Sequence, residues 1–257
     1  MAKVKTEKKP ITSPLDMKPK ICGGNIKLGN MGSWSTLYSD QMFYIDKFNM
    51  DIQGTCGKHC TGCKEECYVK HSYRYGSVMV RHGVNTYWLT HNLRETFKTL
   101  DKQLTRMRKK FNYVRINQSG ELTSEAEFRE WCWLASKHPE SKFYVYTKAT
   151  EYVEPALKED SIVPANLTIL VSIWHEYGIA EYVRLSKYPQ IKCFVYDDGY
   201  DYTEKGINIQ TYCKAYKETK GKNGKVKVVL DHDVTCEKCQ KCIKLSDNTK
   251  IVGCKAH

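Results

Sequence analysis

The sequence predicts an α/β protein built on a partial (β/α)6 barrel, with a cysteine-rich C-terminal extension. Two observations lead to that class. Short β-rich runs alternate with helical periods over much of the chain, and 257 residues are enough to bury a full core. Strands and helices that alternate in this way pack as a parallel sheet, because each helix carries the chain back across the sheet in a right-handed crossover.

We divide the chain into three segments. Residues 1–20 are a lysine-rich, flexible tail, residues 21–230 form the α/β barrel, and residues 231–257 form a cysteine-rich metal-binding segment. No apolar signal segment begins the chain, and no stretch is long and apolar enough to span a membrane. We therefore expect a cytoplasmic protein with no membrane partner.

Six strands and the helices between them are expected in order. The strand-like runs are residues 42–45, 113–116, 142–146, 167–173, 191–196 and 226–230. Asn92 and Glu95 mark the start of the clearest helix, and Ser124 and Glu127 form a capping box at the start of another. Helical stretches follow around residues 152–158 and 180–187. A long connection from 196 to 226 interrupts the alternation before the sixth strand.

Four cysteines lie close together in what we call the first cysteine loop, residues 56–67. They are Cys56, Cys60, Cys63 and Cys67, and Gly57 and Gly62 let the backbone fold around a central object. In a reducing cytoplasm, such groups indicate metal binding or catalysis rather than disulfides. Cysteines spaced by three and then two residues suit three corners of a 4Fe-4S cluster, and zinc is the alternative.

A second cysteine group ends the chain. Its core is Cys236, Cys239 and Cys242, a C-x2-C-x2-C run that resembles the three-ligand core of bacterial ferredoxin sites. Such a run needs a fourth ligand, for which Cys213 and Cys254 are the candidates. The sequence leaves open whether the chain holds one cluster or two, and a structural zinc at this end is again the alternative.

Polar residues follow the ends of the predicted strands, where parallel barrels place their working face. The pocket candidates among them are Ser119, Glu121, Lys148, His175 and Asp231. Any one of these side chains can simply cap a helix or contact solvent. Their recurrence after successive strands favours a common pocket.

A formal net charge of +12 suggests a nucleic acid or another anionic partner. Part of this charge belongs to the tail and to a lysine-rich loop at residues 214–227. No recognisable RNA- or DNA-binding module accompanies it, so the sequence leaves the partner open.

The cysteine spacing of the first loop resembles that of the radical SAM superfamily, placed after a first strand of a partial barrel. Gly120-Glu121 resembles the motif with which those enzymes hold the amino group of S-adenosylmethionine. More closely, the chain resembles a family of bacteriophage proteins of unassigned function with a radical-SAM-like barrel. The similar stretches are residues 63–68, 114–122 and 146–148, and Cys213 followed by the C-x2-C-x2-C run. Together they extend the resemblance over most of residues 20–257, and imply a host cytoplasm.

Three functions follow from these observations. The resemblance and the cysteines favour a redox-active iron-sulfur protein. An active radical SAM enzyme is the second, with Ser119, Gly120 and Glu121 holding the cofactor and Lys148, His175 or Asp231 facing a substrate. A zinc-stabilised nucleic-acid-binding protein is the third. The sequence departs from the radical SAM pattern in that Gly62 replaces the usual aromatic residue, and Cys67 could ligate the iron that those enzymes leave open.

Overall fold

The computed structural model describes residues 10–24, 27–220, 226–231, 233–244 and 249–255, and shows a mixed α/β architecture organised by one large sheet. The described strands are β1 (Cys22–Gly23), β2 (Gly32–Ser33), β3 (Met42–Ile45), β4 (Met50–Gln53), β5 (Tyr113–Ile116), β6 (Lys142–Thr147), β7 (Leu167–Trp174), β8 (Ile191–Asp197), β9 (Thr211–Tyr212), β10 (Tyr216–Lys220), β11 (Val226–Leu230) and β12 (Ile251–Lys255).

The large sheet has eight strands in the order β1-β2-β5-β6-β7-β8-β12-β9. All neighbouring strands are parallel except β1 and β2, which are antiparallel. The prediction of a parallel sheet from alternating strands and helices is confirmed for β5 to β8. Strand β7 is almost entirely buried, as expected for a parallel strand covered on both faces.

The predicted first strand, Met42–Ile45, is a strand but lies outside the large sheet. It pairs antiparallel with β4 in a local hairpin, whose turn passes through Asn49 in the left-handed conformation, with φ of 50°. Met42 and Tyr44 are exposed, and the prediction that this run is the first strand of the barrel sheet was wrong. The two-residue strand β2 pairs with β5 instead. Its length is too short to give a periodic signal.

The predicted sixth parallel strand, Val226–Leu230, was also wrongly placed. It pairs antiparallel with β10 in a separate two-stranded sheet. The strand that joins the large sheet is β12, which lies between β8 and β9 and belongs to the segment expected outside the barrel. A side chain at Gly253 would meet Ile209 at 2.8 Å, so glycine allows this close approach.

The helices of the described residues are α1 (Val69–Ser72), α2 (Gly76–His91), α3 (Leu93–Arg106), α4 (Glu125–Lys137), α5 (Thr150–Lys158), α6 (Ile179–Leu185) and α7 (Cys236–Cys239). Helices α3 to α6 pack on one face of the large sheet, whereas α7 packs on the other. Ser124 caps α4 by accepting a hydrogen bond from Glu127 N at 3.1 Å, whereas the Glu127 carboxylate bonds to Thr123 instead of completing the box. No helix of the described residues is long and apolar enough to cross a bilayer.

Alternate residues of β6 divide the core between the two faces of the sheet. Phe143 and Val145 pack with the helices in the main core. Tyr144 and Tyr146 point to the other face, which carries a second apolar cluster. The buried members of that cluster are Leu28, Met31, Tyr144, Leu170 and Ile243. Chain segments around Leu28 and Ile243 therefore cover the second face in place of long helices.

Glu127 makes the folding stability depend on pH. Its carboxylate is fully buried, and burial raises its pKa from 4.5 to about 7. Because the folded state binds this proton more tightly, stability falls as pH rises from about 4.5 to 7. The group should remove roughly 3 kcal/mol over that window. In urea unfolding at a series of pH values, Glu127→Gln should lack this part of the decline.

A matched control is Glu125→Gln, on the same helix. The Glu125 side chain is 41% exposed and pairs with Arg129. This variant should follow the pH profile of the wild-type protein. An identical profile for Glu127→Gln and the wild type would contradict the assignment.

Candidate functional site

Both cysteine groups line a single cavity on the second face of the large sheet. The cavity has a volume of about 590 Å³. Its lining includes eight cysteines, which are Cys56, Cys63, Cys67, Cys213, Cys236, Cys239, Cys242 and Cys254. We call it the cysteine-lined cavity. Segments far apart in sequence thus present their thiols to one space.

The first cysteine loop lies over the carboxyl ends of three parallel strands. The Tyr68 hydroxyl donates to a backbone carbonyl just after β5. After β6, Lys148 Nζ lies 2.7 Å from Cys63 Sγ. At the end of β7, the Trp174 ring is so close to Gly62 that a Cβ there would lie 3.3 Å from it. Because Gly62 has no side chain and adopts φ of +84°, the first cysteine loop can pack directly against the Trp174 indole.

Within this loop, Cys56 and Cys60 share a hydrogen bond between their side chains. That bond lowers the pKa of Cys60 to about 6. The Ser39 amide also donates to Cys56 Sγ at 3.2 Å. Burial raises the pKa of Cys67. The Cys56–Cys60 pair therefore favours one thiolate near neutral pH, and the thiolate is the form that binds metals.

The second cysteine group contains a similar pair. Cys213 and Cys254 share a hydrogen bond, which lowers the pKa of Cys213 to about 6. The Cys213 amide also donates to Gly253 O at 2.7 Å, so the position of β12 fixes both residues. Burial raises the pKa of Cys242 to about 12. Both candidates for the fourth ligand thus lie beside the C-x2-C-x2-C run.

Two partly buried cations face this second group. Lys27 Nζ donates to the Tyr216 hydroxyl at 2.9 Å, and the Arg115 guanidinium lies 4.6 Å from the centre of the Tyr146 ring. Burial raises the pKa of Cys236, and the charges of Lys27 and Arg115 oppose that rise. The two cations therefore stabilise thiolates in the cysteine-lined cavity.

Ser119 and Gly120 also line the cysteine-lined cavity. The Ser119 hydroxyl donates to Thr36 O at 2.8 Å. Gly120 has φ of +82°, and a Cβ at this position would clash with the hydroxyls of Thr36 and Thr55. The turn after β5 is thus locked against the segment after β2.

Glu121 lines the cavity from a buried position. Its carboxylate accepts hydrogen bonds from the Thr147 hydroxyl at 2.7 Å and from the Lys148 amide at 2.9 Å. It also accepts one from the Leu122 amide at 2.9 Å. Burial raises the pKa of Glu121 despite these donors. The carboxylate therefore ties the end of β6 to the turn after β5.

The structure brings Ser119, Glu121 and Lys148 together but leaves the other two pocket candidates elsewhere. His175 and Asp231 are not among the described residues that line the cavity. The backbone turns at His175, which has φ of 52°, and its Nε2 lies 2.7 Å from a carboxylate oxygen of Asp198. Asp231 pairs with a lysine of β10, because β11 belongs to the separate hairpin.

The sequence analysis missed Lys27 and Arg115 as cavity residues. A signal existed for Arg115, because a charged residue stands between buried Val114 and Ile116 in a central parallel strand. Such a charge is rarely placed on a sheet without a partner. Lys27 gave no comparable signal in its glycine-rich surroundings.

The described side chains do not form a ready site for one metal ion. No group of three or more Cys, His, Asp or Glu side chains among them could hold an ion. Structural zinc needs four ligands within about 2.0–2.3 Å of a single point. A 4Fe-4S cluster instead distributes its thiolates over separate irons.

Comparison with known protein families finds a match over most of the chain. The model of a family described as Gene product 88 matches residues 17–245. That span includes both cysteine groups except Cys254. No curated protein and no solved structure matches the chain significantly.

The close packing at Gly120 gives a stability prediction. Gly120→Ala should lower the free energy of unfolding by roughly 2–5 kcal/mol, from the positive φ and from the clash with the two threonines. Urea denaturation measures this change. Gly206→Ala is the control, because Gly206 also has positive φ but nothing lies within 4 Å of a Cβ there. Equal losses in the two variants would contradict the packing argument.

Proposed function

The chain belongs to the Gene product 88 family, a bacteriophage-type gene-product family, and we propose that it is a redox-active iron-sulfur protein on a radical-SAM-like partial barrel. The observation that carries this proposal is the convergence of eight thiols on one cavity. Thiols that crowd together without disulfides are typical of sites for inorganic iron and sulfide.

The donor set supports the assignment of ligands. Cys56, Cys60, Cys63 and Cys67 would hold one cluster. The second cysteine group, Cys213, Cys236, Cys239, Cys242 and Cys254, would hold another or would share the first. A cluster with four thiolate ligands is anionic, and Lys148, Lys27 and Arg115 supply positive charge around the cavity. When bound, it supplies one-electron transfer.

The position of the first cysteine loop supports the radical-SAM-like description. It lies over the carboxyl ends of β5, β6 and β7, where loops of parallel α/β proteins converge to form their sites. Cys67 lines the cavity with Cys56 and Cys63, and Cys60 lies behind the lining, hydrogen-bonded to Cys56. Four thiolates leave no iron open for S-adenosylmethionine, so electron transfer, sensing or structural support is the function that this ligand set favours.

An active radical SAM enzyme is the second candidate, and one observation favours it. Ser119, Gly120 and Glu121 line the same cavity as the first cysteine loop. These are the residues that would hold S-adenosylmethionine. The Glu121 carboxylate, however, already accepts hydrogen bonds from three groups of the protein. We therefore rank this function below electron transfer or sensing.

Metal analysis tests the proposal. Protein purified without oxygen should be brown and contain iron and acid-labile sulfide in equal amounts, about four of each per cluster. Replacing Cys236, Cys239 and Cys242 with alanine should remove one cluster's iron if there are two clusters. Replacing Cys56, Cys63 and Cys67 should remove the other. Colourless protein that holds zinc without sulfide would refute the proposal and support the zinc-stabilised nucleic-acid-binding function.

Two cysteines outside the cysteine-lined cavity serve as controls. Cys22→Ala alters a partly exposed thiol, and Cys132→Ala alters a buried one in α4. Both variants should keep the iron and sulfide content of the wild type. Loss of iron in the Cys22 variant would show that the ligands are assigned wrongly.

Addition of S-adenosylmethionine separates the two redox functions. With four thiolate ligands, the EPR spectrum of the reduced protein should not change, and neither methionine nor 5′-deoxyadenosine should form. Cys67→Ala opens one iron, so the same addition should then alter the spectrum. Cofactor cleavage by the wild-type protein would instead establish the radical SAM enzyme.

A further inference from the structure

Asn117 presents an unpaired amide to the cysteine-lined cavity. It follows β5 in the left-handed conformation, with φ of 50°, which asparagine tolerates better than most residues. The residue is only 4% exposed and lines the cavity. Neither Oδ1 nor Nδ2 has a hydrogen-bond partner among the described residues. Because unpaired buried polar groups are unfavourable, both atoms indicate a missing partner.

Arg115 presents a second unpaired donor to the same space. It lies in β5, two residues before Asn117, and lines the cavity with it. Its Nε is buried without a hydrogen-bond partner in the described part of the chain. Its other contacts are the Tyr68 hydroxyl, 3.3 Å from Nη2, and the face of the Tyr146 ring. The guanidinium is therefore held in place by aromatic residues, and its Nε–H is still able to donate a hydrogen bond.

The walls around these two residues are largely aromatic. Trp174 and Tyr196 stack with ring centres 3.7 Å apart, and Tyr146 meets Phe194 edge to face at 4.9 Å. All four residues line the cavity. The Trp174 ring already lies between Tyr196 and the first cysteine loop, so the aromatic wall offers apolar surface to a planar base rather than an open stacking slot, and the cation beside it accepts phosphate.

We propose that the cysteine-lined cavity binds a nucleotide, with the Asn117 amide on the edge of the base and the Arg115 guanidinium on the phosphate. A base edge offers a donor beside an acceptor, which matches the two open atoms of the amide. The net charge of +12 attracts phosphates to the surface.

A simple carboxylate ligand fits the site less well. It would pair with Arg115 and with Asn117 Nδ2, but it has no donor for Asn117 Oδ1. A nucleotide satisfies all three unpaired groups. Neither residue is a cysteine or a proposed ligand, and Asn117 has no part in the iron-sulfur proposal, so the Asn117 variants test the nucleotide site separately from the cluster. A free nucleotide and a nucleotide within a single strand present the same chemistry.

Calorimetric titration of the purified protein tests the site. The probes are adenosine, guanosine, cytidine and uridine 5′-monophosphates and a short single-stranded oligonucleotide of each base. We expect binding that prefers one base. Asn117→Ala should weaken it about tenfold or more and remove the preference. Arg115→Gln should weaken binding to every base and reduce its dependence on salt.

Control variants separate these effects from general damage. Asn112→Ala and Arg108→Gln alter exposed residues near the same strand and should bind like the wild type. Asn117→Asp keeps the size of the side chain but removes its donor, so it should also lose the base preference. Iron content, measured on the same samples, should match the wild type for the Asn117 variants, and thermal melts should show that each variant is folded at the temperature of the titration.

The outcomes are distinct. Failure of all mononucleotides and oligonucleotides to bind would overturn the nucleotide site, as would binding that ignores the base or is unchanged in Asn117→Ala. Tighter binding of the oligonucleotide would identify a single strand as the source, and equal binding a free nucleotide. Loss of iron in the cysteine variants bears only on the cluster, and loss of base preference only on this site.

Discussion

The insertion of β12 between β8 and β9 is the constraint on which the site depends. It brings the carboxyl-terminal residues into the large sheet and places Cys254 beside Cys213. The approach is close enough to require Gly253, whose carbonyl accepts the Cys213 amide. With this strand in place, the C-x2-C-x2-C segment must pack over the second face of the sheet.

The two faces of the large sheet carry different kinds of side chain. The helix-covered face carries the large apolar core, with Phe97, Phe128 and Trp131 fully buried. The second face carries tyrosines, cations and thiols. Partly or fully buried cations such as Lys27 and Arg115 are unfavourable unless negative charge lies nearby. Cys213, whose pKa is lowered to about 6, provides that charge as a thiolate, so this cysteine and the two cations stabilise one another.

The sequence predicted what depends on local periodicity. Strands β5 to β8 and helices α3 to α6 were found because their apolar residues recur with the period of each element. It did not predict which strands pair. Runs such as Met42–Ile45 have the same β-rich composition in a local hairpin as in a parallel sheet. Strand β2 has two residues, and β12 enters the sheet through contacts distant in sequence.

The candidate site, like the fold, was predicted only in part from the sequence. The cysteines and the turn with Ser119, Gly120 and Glu121 were visible as spacings and motifs. Arg115 and Asn117 were not chosen, because their importance comes from unpaired atoms that only a packed cavity reveals. His175 was chosen because it follows a strand, but the backbone turns it away.

The contact between Gly62 and Trp174 gives the protein an internal optical reporter. The indole lies between the first cysteine loop and the Tyr196 ring, with the Lys148 ammonium 5.5 Å from its centre. Trp34 and Trp131, by contrast, are buried among the helices. The fluorescence of Trp174 should therefore respond to a change in the charge or the light absorption of the first cysteine loop.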